Sequence, residues 1–398
     1  MTNCFVRAFE WLFFSKAALL LVPGIAAAAA CAATLSLPGP FSWMALGAFF
    51  FVFLAGVVGF RAIYHKRVRE KRFIRDFKSR LVAITGCDSG FGYMLVQQLI
   101  EKEIHVVAGC LTENGTRSVK PSGVCEKFAK FVHPILLDIT KEDSVMEFLA
   151  FAEETALKTN MKFHAVVNNA GIFCCGPAEW VSRETFSNVL NVNVTGTATV
   201  TTKAMPYMGT VKGRIVTISS CSALAPSEMM STYSAAKAAV DAFIRGIAVE
   251  DRRGVHFSLI TPSGFRTKMV TQDTISTILK KNFDSATEEV QNDFGTTYLE
   301  TLRESWAKGV MQYSDEDLTL VTNDMLNAIY SEFPRDRYKP GTYTGLFTFA
   351  SFLPMGAQRA LMRFLHDAGR RRNKVKLVMA INEESKDNGP SEEPLLQE

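Results

Sequence analysis

Tyr233 and Lys237 lie four residues apart at the start of a predicted helix. At this i, i+4 spacing the two side chains share one face of the helix. A free tyrosine has a pKa near about 10 and is a poor base at neutral pH. A neighbouring ammonium favours the phenolate and brings its pKa into a useful range. The pair therefore indicates acid–base catalysis, although the same spacing is common by chance on helix surfaces.

Two polar residues that precede this pair could complete a site. Ser220 ends an apolar run and could bind a substrate oxygen. Asn193, within Asn191-Val-Asn-Val-Thr-Gly196, could hold a water molecule or orient the lysine. We therefore predict Asn193, Ser220, Tyr233 and Lys237 as the catalytic residues.

A glycine-rich turn lies between a predicted strand and a predicted helix. Leu81–Ile84 is a short apolar run that predicts a buried strand and stops before Gly86. Gly90 and Gly92 follow at G-x-x-x-G-x-G spacing, and Tyr93–Ile100 has the apolar period of a helix. A helix N-terminus preceded by glycines, which have no Cβ atom between backbone and ligand, can hold a diphosphate. Such turns also join strands to helices for purely structural reasons.

Apolar, β-rich runs alternate with helical patterns along the chain. The predicted strands are Leu81–Ile84, His105–Ala108, Phe131–Leu137, Phe163–Val167, Arg214–Ile218 and Val255–Ile260. The helical patterns between them include Lys141–Lys158, Arg183–Pro206 and Tyr233–Arg252. This alternation predicts an α/β fold with a doubly wound parallel sheet.

Polar residues follow five of these strands. Ligands of such sheets bind at the carboxyl ends of the strands. The segments at those ends are Cys110–Asn114, Asp138, Asn168–Gly171, Ser219-Ser220 and Thr261–Gly264. Their common position predicts one site at this edge of the sheet.

The order of these motifs resembles the short-chain dehydrogenase/reductase superfamily over roughly residues 80 to 345. The matching pieces are Thr85-Gly86-x3-Gly90-x-Gly92, Asp138, Asn168-Asn-Ala-Gly171, Asn193, Ser220 and Tyr233-x3-Lys237. Thr85–Gly92, Ala108–Gly115 and the Tyr338–Gly341 region are similar to the branch of type 2 hydroxysteroid dehydrogenases, retinol dehydrogenases and hydroxybutyrate dehydrogenase.

The resemblance implies hydride transfer between a secondary alcohol or ketone and a nicotinamide cofactor. Tyr233 would be the base in oxidation, Lys237 would hold the nicotinamide ribose and lower the tyrosine pKa, and Ser220 would position the substrate oxygen. Asn193 would complete a proton relay through water, and Thr267 would fix the carboxamide. The predicted cofactor-binding residues are Gly86, Asp88, Ser89, Gly90, Gly92, Thr112, Asp138, Asn168, Ala170, Gly171, Tyr233, Lys237 and Thr267.

The loop after the sixth strand departs from the family pattern. The family usually has Pro-Gly there, whereas this chain has Pro262-Ser263-Gly264. Ser263 could impose a different backbone turn near the nicotinamide, which affects the placement of Thr267 but not the chemistry.

Charge in the glycine turn bears on the choice of cofactor. A 2′-phosphate favours Arg or Lys in the turn or just after the second strand. Here Asp88 lies in the turn and Thr112-Glu113 follow the strand. We therefore expect NAD in preference to NADP, although the usual Asp at the end of the second strand is absent.

Two apolar segments precede the glycine turn. Ala17–Leu37 and Phe41–Tyr64 are each close to the roughly 20 residues that a helix needs to cross a bilayer. They predict a membrane hairpin or two spans, with a cleaved secretory signal as the alternative for the first. The basic run Arg61–Arg80 predicts that the domain after it faces the cytosol, unless it is only a solvated helix. We expect the endoplasmic reticulum membrane, with a mitochondrial membrane as the alternative.

Composition is consistent with this location. The sequons at Asn114 and Asn193 fall at the predicted site, where a glycan would obstruct function. The 8 cysteines have neither metal-site spacing nor a disulfide framework, so we expect reduced thiols and no metal. The net charge of +4 is concentrated beside the apolar segments and at Arg370–Arg372, which indicates anionic lipid rather than nucleic acid.

The predicted organisation has five parts. They are a membrane anchor at 1–64, a basic linker at 65–80, a Rossmann-type dehydrogenase domain at 81–345 with a substrate-binding insertion at about 268–311, an apolar and basic segment at 346–381, and a disordered acidic tail at 382–398. The 346–381 segment is a candidate membrane contact, with core packing as the alternative.

The leading hypothesis is therefore a membrane-anchored, NAD-dependent dehydrogenase of a hydrophobic alcohol such as a steroid or retinoid. The alternatives are a small hydroxy-acid dehydrogenase of the 3-hydroxybutyrate type and a non-catalytic nucleotide-binding membrane scaffold. The expected partners are the hydrophobic substrate and the bilayer. The sequence leaves open whether the protein forms a homodimer.

Overall fold

The computed structural model of the 398-residue chain describes residues 72–121 and 123–365, together with Gly56. The predicted anchor at 1–64 apart from Gly56, residues 65–71 of the basic linker, the segment after 365 and the acidic tail lie outside these residues. In the part of the chain that is described, no helix has both the length and the apolar character needed to cross a bilayer.

Seven parallel strands form one sheet in the order β3-β2-β1-β4-β5-β6-β7. The strands are β1 (Arg80–Thr85), β2 (Val106–Cys110), β3 (Val132–Leu136), β4 (Lys162–Asn168), β5 (Arg214–Ile218), β6 (His256–Ile260) and β7 (Arg337–Tyr338). The strand order reverses between β1 and β4, which is the switch point where doubly wound sheets bind ligands. The predicted Rossmann-type α/β sheet is confirmed.

The sequence patterns located six of the seven strands. β7 contains only Arg337 and Tyr338, so it is too short to show an alternating pattern. Its pairing with Leu259 and Ile260 of β6 extends the sheet by one strand.

Helices flank the sheet. They are α1 (Gly90–Glu101), α2 (Glu113–Ser118), α3 (Glu142–Lys158), α4 (Arg183–Leu190), α5 (Thr197–Met208), α6 (Ser231–Glu250), α7 (Gln272–Asp284), α8 (Glu288–Phe294), α9 (Thr296–Thr301), α10 (Ala307–Gln312), α11 (Thr319–Tyr330), α12 (Thr344–Ala350) and α13 (355–365). The predicted helix Arg183–Pro206 is found, but a π-helical turn at Asn191–Gly196 joins α4 to α5.

Two apolar cores hold these layers together. The larger core packs fully buried side chains of α3 and α6, such as Phe148 and Val240, against the sheet. The second core surrounds Trp180, whose ring meets Phe283 edge-on with centroids 4.9 Å apart. Burial of a large apolar side chain stabilises the fold by about 1.5–3 kcal/mol. The second core therefore fixes helices α7 to α10, which belong to the predicted insertion.

A small separate unit contains residues 72–74 and Ser331–Phe333. Within it, Phe73 and Ser331 form an antiparallel bridge, and the Glu332 N–H donates to the Arg72 carbonyl at 2.9 Å.

Candidate active site

The glycine turn after β1 requires glycine at three positions. Gly86 and Gly90 have φ values of 71° and 63°, in the left-handed region that side chains disfavour. A Cβ on Gly92 would lie 2.4 Å from the Gly86 carbonyl oxygen. The turn leads into the N-terminus of α1, where unpaired N–H groups favour a phosphate. These features fit the diphosphate of a dinucleotide.

A cavity of about 1060 Å³ extends from this turn along the carboxyl ends of the strands. Its wall includes most of the residues that the sequence predicted. They are Gly86, Asp88, Ser89, Gly90, Thr112, Asp138, Ala170, Gly171, Ser220, Tyr233, Lys237 and Thr267. Three other predicted residues, Gly92, Asn168 and Asn193, are placed behind this wall.

The side chain of Asn168 lies between the sheet and α5 and does not line the cavity. It is 4% exposed, and its Nδ2 donates to the hydroxyls of Thr201 and Thr217 at 2.8 and 3.1 Å. The next residue, Asn169, lines the cavity and donates through Nδ2 to the Gly86 carbonyl at 2.8 Å. Asn169 therefore holds the glycine turn, a function that the sequence analysis missed within the same motif.

Asn193 lies in the π-helical turn between α4 and α5. Its Oδ1 accepts from the Ile172 N–H at 2.8 Å, and its Nδ2 donates to the Ile172 carbonyl at 2.9 Å. A Cβ on Gly171 would stand 2.9 Å from Asn193 Oδ1 and 3.7 Å from Lys237 Nζ. Gly171 thus allows both polar groups to approach the same point, and the amide of Asn193 braces the segment after Gly171.

Tyr233 and Lys237 occupy the first turns of α6, as predicted. The Tyr233 ring packs edge-on against Phe173 with centroids 5.2 Å apart. Lys237 is 6% exposed and donates through Nζ to the Ile218 carbonyl at 2.9 Å. The Nζ atom lies 5.8 Å from the centre of the Tyr233 ring.

The pKa values of this pair differ from the simple expectation. Burial lowers the pKa of Lys237 to about 8. Burial raises the pKa of Tyr233, the nearby Cys221 thiol raises it further, and a hydrogen bond with Ser220 opposes the shift. Although Tyr233 keeps part of its surface open to the cavity, protein atoms surround the rest of the phenol. In this geometry burial of the phenol, and not the charge of Lys237, determines that the pKa of Tyr233 is shifted upward.

Asp88 binds the loop after β2. Its Oδ2 accepts from the Leu111 N–H at 2.8 Å, and its Oδ1 accepts from the N–H and hydroxyl of Thr112 at 3.1 and 2.9 Å. Thr112 Oγ1 in turn accepts from the Gly115 N–H at 2.9 Å. A carboxylate therefore stands on the cavity wall between the glycine turn and the start of α2.

Asp138 and Thr267 complete the wall near the turn. Hydrogen bonds from Thr140 are the main cause that lowers the pKa of Asp138, so its carboxylate stays charged. Thr267 faces the glycine turn, because a Cβ on Gly90 would lie 3.6 Å from its side chain. The departure at Ser263 is accommodated beside Gly341, where a Cβ would lie 2.1 Å from Ser263 Oγ.

The part of the cavity beyond Tyr233 is mostly apolar. It is lined by Phe173, Met269, Val270, Trp306, Val310, Tyr313, Tyr343, Leu346, Phe347, Met362 and Leu365. Phe173 comes from the loop after β4, and the others come from the predicted insertion, from Tyr313 just after it and from the segment after residue 342. The cavity therefore joins a polar cradle to an apolar chamber, and Ser220, Tyr233 and Lys237 lie where the two meet.

No group of three or more His, Cys, Asp or Glu side chains that could hold a metal ion occurs among residues 72–121 and 123–365. The arrangement supports proton exchange at a tyrosine beside a bound nucleotide.

Comparisons with known proteins agree with this geometry. The family model described as short chain dehydrogenase matches residues 80–276. Retinol dehydrogenase 7 of Rattus norvegicus is 34% identical over 305 residues, which cover 75% of this chain and 90% of that protein. The 17-beta-hydroxysteroid dehydrogenase type 6 of Bos taurus is 32% identical over 290 residues, which cover 72% and 88%.

A solved structure of a short-chain dehydrogenase from Streptomyces avermitilis is similar in fold. It superposes with a TM-score of 0.54 at 19% sequence identity, and the match covers 74% of this chain and 99% of that one.

Proposed function

This chain belongs to the short-chain dehydrogenase family and is an oxidoreductase of CH–OH groups that uses a nicotinamide cofactor; from that premise we propose that it is an NAD-dependent dehydrogenase of a hydrophobic secondary alcohol. The observation that carries the proposal is the cavity, in which a dinucleotide cradle meets an apolar chamber at Tyr233. Relatives named for retinol and hydroxysteroid substrates support a steroid or retinoid as that alcohol.

Tyr233 acts as the general base in oxidation and as the acid in reduction in this proposal. Ser220 donates a hydrogen bond to the substrate oxygen, and the buried ammonium of Lys237 stabilises negative charge beside it. Bound NAD would supply the hydride acceptor. Asn193 fixes the Ile172 backbone, and through it the segment that follows Gly171. Hydrophobic side chains exclude water from the chamber, which strengthens these interactions.

The preference for NAD rests on Asp88. Its carboxylate lies on the cavity wall and binds the loop after β2, where a 2′-phosphate would otherwise find hydrogen-bond donors. Repulsion between that phosphate and the carboxylate would disfavour NADP. Thr112, which the sequence predicted as a cofactor residue, is held in place by the same carboxylate.

We propose that the enzyme works at a membrane. Phe352, Met355 and Phe364 of the segment after α12 are 82%, 77% and 68% exposed, and Arg359 is exposed beside them. Exposed aromatic and basic side chains on a helix suit the surface of an anionic bilayer. With the apolar segments of 1–64 as the anchor, the endoplasmic reticulum is the proposed location. Equal turnover of a substrate delivered in anionic and in neutral vesicles would contradict the charge-assisted contact.

The decisive experiment measures NADH formation by the full chain in detergent with steroids, retinol and 3-hydroxybutyrate. We expect turnover of a steroid or retinol that Tyr233→Phe abolishes while cofactor binding is retained. Tyr207→Phe is the matched control, because the ring of Tyr207 on α5 packs against Phe163 of β4, away from the cavity. Turnover of 3-hydroxybutyrate alone would support a hydroxy-acid dehydrogenase, and cofactor binding with no turnover of any alcohol would support a nucleotide-binding scaffold.

A further inference from the structure

Ser222 follows Ser220 by two residues, in the short 3₁₀ turn Cys221–Ala223 after β5. Its side chain is 1% exposed and lies on the cavity wall. The Ser222 N–H donates to Ser220 Oγ at 3.2 Å, and the Ser222 hydroxyl donates to the same oxygen at 2.8 Å. Ser220 therefore receives two hydrogen bonds from one neighbouring residue.

A serine hydroxyl can accept two hydrogen bonds and donate one. Because Ser222 fills both acceptor positions of Ser220 Oγ, the remaining capacity of Ser220 is its single O–H donor. Two groups next to Ser220 can accept that proton, the phenol oxygen of Tyr233 and the thiol of Cys221. Sulfur is the weaker acceptor, so the phenol side of the cavity is favoured.

We propose that Ser222 is a positioning residue that commits Ser220 to donate its hydrogen bond to the oxygen that reacts beside Tyr233. The inference rests on the proposed function and deepens it. When an alcohol loses its hydride and proton, negative charge develops on its oxygen, and a donor already aimed at that oxygen stabilises the transition state. Without the Ser222 hydroxyl, Ser220 regains a free acceptor position and its O–H can rotate away.

The effect of losing Ser222 is smaller than the effect of losing Ser220. Removal of a donor of this kind lowers kcat by about 100- to 1000-fold. Ser222→Ala leaves Ser220 in place but frees its orientation, so we expect kcat to fall by about tenfold. The KM for NAD should not change, because the hydroxyl of Ser222 acts through Ser220.

Two further readouts separate positioning from mere packing. Ser222→Thr keeps the hydroxyl and should restore kcat to within about threefold of the wild type. The hydrogen bond from Ser220 lowers the pKa of Tyr233, so its weakening in Ser222→Ala should move the rising limb of kcat/KM for oxidation to higher pH.

The experiment uses the full chain in detergent, with NAD and the best alcohol of the panel, and follows kcat, KM and pH profile together with thermal unfolding. Ser234→Ala is the matched control, because Ser234 is a buried serine next to Tyr233 whose Oγ has no hydrogen-bond partner among the described residues. It should leave kcat unchanged.

The outcomes are distinguishable. If Ser222→Ala lowers only the unfolding temperature and leaves kcat and the pH limb unchanged, while Ser220→Ala and Tyr233→Phe lose turnover, Ser222 is structural and this inference is overturned alone. If Tyr233→Phe retains turnover, the proposed function fails and this inference fails with it. A tenfold loss of kcat that Ser222→Thr rescues supports the inference.

Discussion

Arg337 forms a bidentate ion pair with Asp241, in which Nη1 donates to Oδ1 at 2.6 Å and Nη2 donates to Oδ2 at 2.8 Å. Asp241 is 6% exposed and lies one helical turn after Lys237 on α6. Arg337 Nη1 also donates to the hydroxyl of Thr261, directly after β6. This ion pair therefore ties the helix that carries Lys237 to the strand end that precedes the loop of Thr267.

Replacement of Asp241 should destabilise the fold and impair catalysis. Asp241→Ala leaves the Arg337 guanidinium largely buried without its partner, a change that costs about 3 kcal/mol. Urea unfolding should show this loss, and kcat should fall because α6 is no longer fixed. Arg245→Gln is the control, since Arg245 pairs with the same carboxylate at 3.1 Å but is 67% exposed. Arg245→Gln should lower the free energy of unfolding by less than about 1 kcal/mol. An equal loss of stability in both variants would contradict a specific stabilising function of the Arg337–Asp241 pair.

One glycine-to-alanine substitution should weaken NAD binding, whereas another should leave NAD binding unchanged and stabilise the fold. A Cβ on Gly92 would lie 2.4 Å from the Gly86 carbonyl and 2.5 Å from Asn169 Nδ2, so Gly92→Ala must displace the turn. We expect at least tenfold weaker NAD binding, measured by titration of cofactor fluorescence. Gly246 is an exposed residue within α6, away from both helix ends, and nothing lies within 4 Å of the position that its Cβ would occupy. Gly246→Ala should bind NAD normally and gain about 0.5–1 kcal/mol of stability.

His164 should make the fold sensitive to acid. Its Nδ1 lies 2.9 Å from Arg80 Nη1 and its Nε2 lies 3.0 Å from the Ile329 carbonyl, so the neutral ring accepts from one and donates to the other. Burial, followed by the Arg80 charge, lowers the His164 pKa to about 3. Because an unfolded histidine has a pKa near about 6.5, the unfolded state binds more protons between these values. The contribution of neutral His164 to the free energy of unfolding is therefore fully present above about pH 6.5 and is lost as the pH falls below that value.

The expected loss through His164 is on the order of 2 kcal/mol between pH 6 and 4.5, at about 1.4 kcal/mol per pH unit. Urea unfolding at a series of pH values measures it. His164→Gln, which can still accept and donate, should flatten this slope. His256→Gln removes a histidine whose side chain is 25% exposed and should leave the slope steeper than in His164→Gln. If the free energy of unfolding depends on pH with the same slope in both variants, His164 is not the cause of the acid sensitivity.

Asp88→Asn should shift the cofactor preference. The substitution removes the charge and keeps the size, but an amide cannot accept all three hydrogen bonds from Leu111 and Thr112. We expect the ratio of kcat/KM for NAD to that for NADP to fall by about tenfold or more, since one opposing charge is removed. Glu154→Gln is the control, because Glu154 pairs with Lys158 on the surface of α3 and does not line the cavity. A wild-type preference for NADP would contradict the proposal at the outset.

Sequence patterns located the site but not the direction of each side chain in it. The spacing of glycines, Tyr233 and Lys237 follows from local geometry, because a turn and one helical face are short-range structures. The choice between Asn168 and Asn169 depends on which side of a strand end faces the cavity, and that depends on the register of β4 against its neighbours.

Other features were beyond sequence reasoning for a related reason. Ser222 has no spacing signal, since its contact with Ser220 arises from a 3₁₀ turn that no apolar period marks. The Tyr233 pKa depends on how much protein surrounds the phenol, so the expectation from the Lys237 charge alone gave the direction incorrectly. Burial is a property of the assembled tertiary structure.

A one-residue deletion within Asn191–Gly196 would convert the π-helical turn into ordinary α-helix. A π-helical turn takes up one residue more than an α-helical turn, so the residues within the turn would change direction. Asn193 would then lose its two hydrogen bonds with the Ile172 backbone. The length of this segment is therefore as constrained as its composition, and insertions or deletions that surface loops tolerate are excluded here.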